Sequence, residues 1–337
     1  MHPRLAVFVL LFALVAAAAM ASGEEETAPG AIRVVASIKP VHSLVSAIMD
    51  GVGEPHLIIR GASSPHTFSM RPSDAEALED ADAIFLIDER KETALAGPIA
   101  NLGDRALVVR LSGVPGITLW SLREGGAFEM HTHGHGEDDH HDEDDEDAHE
   151  HDEDEGEHGD HEHGEFDMHI WLDPVNAAVM AEAITDALSE VDPANAATYH
   201  DNEHDLIHEL EDLVEELDAS LAPIRDRPFI VLHDAYRYFE DRFGLNAAGS
   251  ITVNPERAPG VQRVTEIRDR VRELEGVCVF AEPQFDRRIV DVVVEGTQAR
   301  AGTIDPLGAD IDDGPELYFK LMRTLAASFN ECLGATG

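Results

Sequence analysis

The sequence predicts an α/β protein of two parallel-sheet units joined by a long helix, with a cleft between the units. Three observations carry this. Apolar β-rich runs alternate with helical periodicity both before and after the middle of the chain, the order that builds parallel sheets. Between the two series, Leu206, Leu210, Leu213, Leu217 and Leu221 recur at spacings of three and four and stripe one face of a single long helix. Residues 131–165 have no hydrophobic period and cannot bury enough surface to repay ordering, so they read as a disordered insertion.

In chain order, His2 and Arg4 precede an apolar run from Leu5 to Ala19 and then Ala19-Met20-Ala21. This is the layout of a cleaved secretory signal, residues 1–21. Its removal leaves a soluble chain of roughly 310 residues, enough for two α/β domains. The run 32–38 is a strand, and PVHSLVSAIMDG is a helix closed by Gly51. HLIIR is the next strand. Ser73-Asp74-Ala75-Glu76 has the S-x-x-E form of a capping box and opens a helix. AIFLID and ALVVRL are further strands with a helical segment between them.

After the insertion, helices are expected from Pro174 to about Val191 and from about Ala194 to Leu221. The second series is strand FIVLH, helix AYRYFEDRFG, strand GSITV, a helix ending at ELEG, strand VCVFAE, a helix to about Ala301, strand GTID and a last helix from PELYF. The expected division is 31–193 for the first unit, including the insertion, 194–222 for the connecting helix and 223–337 for the second unit.

The formal charge of −44 argues against nucleic acid or anionic lipid as partners and favours attraction of cations. Residues 131–165 hold 18 of the Asp and Glu and no Lys or Arg, so most of the excess lies elsewhere. A salt-adapted surface is one reading of that excess. Cys278 and Cys332 are the only cysteines. In an exported chain a disulfide is the expectation, worth about 4 kcal/mol in the chain-entropy model; the alternative is two buried free thiols.

In open α/β sheets, ligands bind beyond the carboxyl ends of the strands. His233 follows FIVL, Glu282 follows VCVFA and Asp305 follows GTI. His66 lies in the loop after HLIIR, and His169 lies just past the insertion beside Trp171. A lone buried imidazole is commonly satisfied by a backbone carbonyl. Three at strand ends or adjoining loops, with a carboxylate, suit a borderline cation, zinc first among them.

The insertion contributes ten more histidines, His131, His133, His135, His140, His141, His149, His151, His158, His161 and His163. Set among carboxylates, they read as weak accessory metal sites, with a tolerated acidic linker as the alternative. His200, His204 and His208 repeat every fourth residue on the side of the long helix opposite the leucines. A two-histidine chelate is open to them, but the spacing alone favours a solvated face.

The segments VVASIKPVHSLVSAI, SPHTFSMRPSD, DMHIWLDP, VLHDAYRYF, NPE, CVFAEPQF and TIDPLG, with the acidic histidine-rich insertion, occur in this order across essentially the whole chain after the signal. Together they resemble the zinc-binding solute-binding proteins of high-affinity ABC zinc importers, ZnuA type, in the metal-binding cluster A-I of periplasmic binding proteins. The resemblance implies two α/β lobes, a rigid connecting helix and one metal in the interlobe cleft. It places the zinc-binding histidines on His66, His169 and His233; manganese and iron relatives have a glutamate at the third position.

Asp305 matches an aspartate that is a ligand in some relatives and only nearby in others. Some zinc relatives carry a ligating Glu just before the first histidine, where this chain has Pro65, so the fourth ligand is Asp305, water or a residue of the insertion. Glu282 is a candidate to support a ligand from behind, or a strand-end salt-bridge partner. The paired cysteines match a disulfide of this type.

The implied function is periplasmic binding of Zn2+ and its delivery to an inner-membrane ABC permease with a cytoplasmic ATPase, by a monomer, with no enzymatic step and no nucleic acid. The rivals are a periplasmic zinc buffer not coupled to transport, a manganese or iron solute-binding protein, and a zinc hydrolase. The last is disfavoured because the sequence has no HExxH or similar catalytic signature.

Overall fold

The computed structural model describes residues 32–334, except 66–67, 91, 103–104, 124–126, 129–165, 253–254 and 256–257. The signal at 1–21, His66 and the ten histidines of the insertion lie outside the described residues.

Two four-stranded parallel sheets share one topology. In the first, β1 (Val34–Ile38) lies between β2 (His56–Ile59) and β3 (Ala83–Leu86), with β4 (Leu107–Arg110) outside β3. The second repeats the order: β5 (Pro228–His233) lies between β6 (Asn246–Thr252) and β7 (Cys278–Ala281), with β8 (Arg300–Thr303) outside β7. The central strands are buried apart from Pro228 at the start of β5, because helices cover both faces. Each sheet therefore has a topological switch point between its first and third strands, β1/β3 and β5/β7, where a crevice opens at the carboxyl ends.

In the first lobe, α1 (Lys39–Ile48) follows β1 directly and Gly51, at φ 78°, turns the chain after it. α2 (Pro72–Glu79) and α3 (Thr93–Leu102) complete the crossovers. α4 (Pro174–Val191) is capped by the Asp173 carboxylate, which accepts from the Val175 N–H at 2.9 Å. α5 (Ala196–Leu221) is the long linking helix, and its leucine stripe is buried against α1, α4 and α9 (Leu317–Gly334). The second lobe adds α6 (Arg237–Phe243), α7 (Val261–Glu273) and α8 (Arg288–Val294). One apolar core runs through both lobes, and a smaller one lies between the outer face of the second sheet and α7 and α8. Among the described residues no helix is long and apolar enough to cross a membrane.

Two local expectations are corrected. α2 begins one residue before Ser73: Pro72 occupies the first turn, where its missing N–H costs nothing, and Asp74 accepts from the Arg71 N–H at 3.1 Å, so the box is built on Arg71 and Asp74. The penultimate helix stops at Val294, well short of Ala301. Gly296 takes φ 71° and the Thr297 hydroxyl donates to the Val294 carbonyl at 2.7 Å, which frees 300–303 to join the sheet as β8. Cys278, at the start of β7, is disulfide-bonded to Cys332 on α9.

The lobes meet through polar contacts. Lys39, at the carboxyl end of β1, donates to the Ile311 carbonyl at 2.6 Å and pairs with Asp313 at 3.2 Å. Ser43 donates to the Pro315 carbonyl at 2.8 Å, and the Trp171 indole donates to the Pro306 carbonyl at 2.8 Å. These bonds hold the segment 305–315 of the second lobe against the switch point of the first.

Candidate metal centre

β5 delivers His233 to the centre. Phe229–Leu232 are apolar and buried, so the strand register is set by the core and the histidine emerges at its carboxyl end, 4% exposed. Across the switch point, Glu282 follows β7 and is 2% exposed. Its two carboxylate oxygens each lie 3.1 Å from His233 Nδ1. Burial pushes the His233 imidazole down, but the Glu282 carboxylate, helped by Asp234 and Asp167, outweighs it and raises the pKa above the ordinary value.

His169 arrives from a different direction. Phe166 bridges Ser121, and the Asp167 N–H donates to the Trp120 carbonyl at 2.8 Å, so the chain is pinned just before the histidine. Asp167 Oδ1 accepts from the His169 backbone N–H at 3.0 Å and lies 2.6 Å from His169 Nδ1. Tyr238, on α6, donates its hydroxyl to the Asp167 carbonyl at 2.6 Å. Arg242 on the same helix grips Asp173 through two 2.7 Å bonds. The turn carrying His169 is thus fastened to the second lobe at both ends.

The two imidazoles meet with Nε2 atoms 3.3 Å apart and ring centroids 5.0 Å apart. Each Nδ1 faces a carboxylate, and a ring proton held there leaves the Nε2 lone pair for a cation. Two nitrogens bound to one tetrahedral zinc at ~2.0–2.1 Å would stand about 3.3–3.4 Å apart, the spacing this pair already has.

The space around them is a cavity of about 20 Å³ walled by Ser64, Pro65, His169, Trp171, His233, Glu282, Gln284, Phe285, Pro306 and Leu307. That is room for one ion or one water. Among the described residues no Lys or Arg lines it. A companion cavity of about 20 Å³ backs onto His169 and Trp171 from the first lobe and is closed by Ile38 and Ile87, at the ends of β1 and β3, with the buried Glu92. The candidate centre therefore lies between the two switch points.

The expected residues are not all brought together. His66 lies outside the described residues, although its neighbours Ser64 and Pro65 wall the cavity. Asp305 stands behind Gln284: its oxygens accept from the Gln284 amide at 2.7 Å and from the N–H groups of Leu307 and Ala309 at 2.9 and 2.5 Å. Among the described residues, no three His, Cys, Asp or Glu side chains close on one point. Asp167 was missed from sequence, though Asp two residues before His in FDMHIW is a local signal for a side chain bonding its own turn. Arg123 was missed too. It pairs with the Asp234 and Glu240 carboxylates, the first of them next to His233 in the chain, and lies over the Phe128 ring at 4.0 Å.

Comparison with known proteins gives a consistent picture. Residues 34–332 match the family described as ZnuA, zinc-uptake complex component A, periplasmic. The chain is 53% identical over 304 residues to the high-affinity zinc uptake system protein ZnuA of Brucella abortus strain 2308, covering 89% of this chain and 91% of that one. It is 34% identical over 306 residues to its namesake in Yersinia pestis, with the same coverages. Among solved structures it resembles a zinc-bound ZnuA deletion mutant, with TM-score 0.71, 23% identity, and 91% and 100% of the two chains covered. It also resembles the Pseudomonas aeruginosa protein FpvC in complex with Mn2+, with TM-score 0.72, 18% identity, and 91% and 100% covered. Both likenesses show the fold that this chain shares with them.

Proposed function

We propose, for a chain that belongs to the ZnuA family of periplasmic zinc-uptake components, that it captures Zn2+ as cargo and delivers it to an inner-membrane ABC permease driven by a cytoplasmic ATPase. It works as an exported monomer in the periplasm, and no bond is made or broken. The observation that carries the reading is the pair of Nε2 atoms 3.3 Å apart, each ring backed by its own carboxylate. His169, His233 and His66 are the proposed ligands, a three-imidazole set suited to zinc.

Asp305 already accepts three N–H groups, which supports water as the fourth donor; Asp305 reaches the cation only if Gln284 releases it. Glu282 and Asp167 orient the rings and make them better ligands. The histidines between 131 and 163 are proposed as weak, exchangeable sites that raise the local concentration of zinc.

Zinc titration of the signal-free protein with and without residues 131–163 tests this reading. One tight site should survive the deletion and several weaker ones should vanish. Loss of the tight site with the insertion would overturn the assignment to the cleft. A deletion strain that grows normally under zinc chelation would instead make the protein a buffer uncoupled from import.

A further inference from the structure

We propose that His204 and His208, on the outward face of α5, form a second metal site: a two-imidazole chelate for a first-row divalent cation, separate from the cleft. The face is held in place by what lies beneath it. Leu206 and Leu210 are buried in the core, so the helix is fixed in rotation and cannot turn its histidines inward. Their side chains are 70% and 63% exposed, and the ring centroids lie 4.5 Å apart with planes crossing at 77°. Residues four apart stand one above the other on a helix, the spacing by which a helix presents two imidazoles to one zinc.

Each ring also has a carboxylate behind it. His204 Nδ1 lies 3.5 Å from Asp205 and His208 Nδ1 lies 3.3 Å from Glu211. A proton on Nδ1 facing these carboxylates leaves Nε2 for a cation, although the contacts are longer and more exposed than those at the cleft. No Lys or Arg occurs in the chain between Arg123 and Arg225. Arg323, from α9, is taken by Glu216 further along the helix. The local field therefore draws cations to the pair.

With two protein ligands and water for the rest, the site is open and weaker than the cleft, so it fills after the cleft. Imidazole donors without thiolate suit zinc and, more tightly, copper(II). Cation bound there clamps one turn of the linking helix from outside.

The test reads individual histidines, so the insertion does not mask it. The full metal-free chain is treated with diethyl pyrocarbonate at increasing Zn2+, and modification of each histidine is followed by peptide mass spectrometry. At zinc near ten times the site's dissociation constant, modification of His204 and His208 should slow together about tenfold, at higher zinc than protects His169 and His233. His208→Ala should abolish protection of His204, and His200→Ala should leave it. Both substitutions are at exposed positions, and circular dichroism confirms that the helix persists. Modification rates unaffected by zinc, or protection of His204 that survives His208→Ala, would overturn the proposal.

Discussion

His233 Nε2 stands 3.3 Å from His169 Nε2, although the two residues are 64 positions apart in the chain. Two lone pairs cannot face each other at that distance without a proton or a cation between them. On the proposed reading the cation takes that place, and the carboxylates facing the rings, Asp167 and Glu282, bear on how readily it is held.

Asp167→Asn and Glu282→Gln preserve size and remove charge. Each should weaken the tight zinc site about 10- to 100-fold, the usual effect of losing a partner behind a ligating histidine. Competition against a chelating dye measures it. A change under about threefold in both variants would mean that the rings are oriented by packing alone.

Zinc affinity should climb with pH through and beyond the ordinary imidazole range. Burial lowers the His233 pKa, but the Glu282 charge prevails and the folded value lies above the unfolded one, so protons compete with metal to a higher pH than for a free imidazole. The metal-free fold behaves oppositely. The stability from protonated His233 facing Glu282 is fully present below the unfolded pKa and is lost as pH rises through the folded one. Thermal melts from about pH 5 to 9 should show the metal-free form losing stability with pH, and His233→Gln should remove the part of that loss that lies through and above the ordinary imidazole range, leaving the part due to Glu92.

Glu92 is buried beside the centre, with one carboxylate oxygen accepting from the Asp88 N–H at 3.0 Å. Burial pushes its carboxyl up to about 7. Below the ordinary carboxylate range both folded and unfolded chains are protonated and the effect is nil; as pH rises to about 7 the folded state is penalised, and above that the penalty is constant. Glu92→Gln should therefore stabilise the protein by about 1–3 kcal/mol at pH 8, and the gain should vanish near pH 4. Denaturant titrations at the two pH values decide it.

The Cys278–Cys332 bridge closes a separation of 54 residues between β7 and α9. Replacing both cysteines by alanine should cost about 4 kcal/mol, chiefly by releasing the unfolded chain. Because Glu282 is positioned by the central strand pairing, zinc affinity of the folded variant should change little. Urea unfolding and zinc competition on the same preparation separate the two effects.

Much of this was legible in the chain. The leucine stripe of α5 and the polar residues that end apolar strands are local patterns, because side-chain period follows backbone geometry. The limits of α2 and α8 were misread because a proline-led first turn and a glycine stop outcompeted the more familiar signals of a serine cap and a continuing apolar run. The support given by Asp167 was written in FDMHIW, whereas the Arg123 clamp, reaching Asp234 and Glu240 more than a hundred residues away, had no local signature.

The sequence by itself determined the two parallel-sheet lobes, the linking helix, the cysteine pair available for a bridge and the histidines and carboxylates that end the strands. Those depend on periodicity and residue chemistry within a few turns of chain. Only the tertiary structure decided which of them touch. It set His169 against His233, put Glu282 behind one ring and Asp167 behind the other, and turned Asp305 toward Gln284 and its own loop. The reason is that side chains on different strands and loops come within contact only after both switch points have formed and the shared core has locked the lobes together, a relation that no stretch of sequence contains.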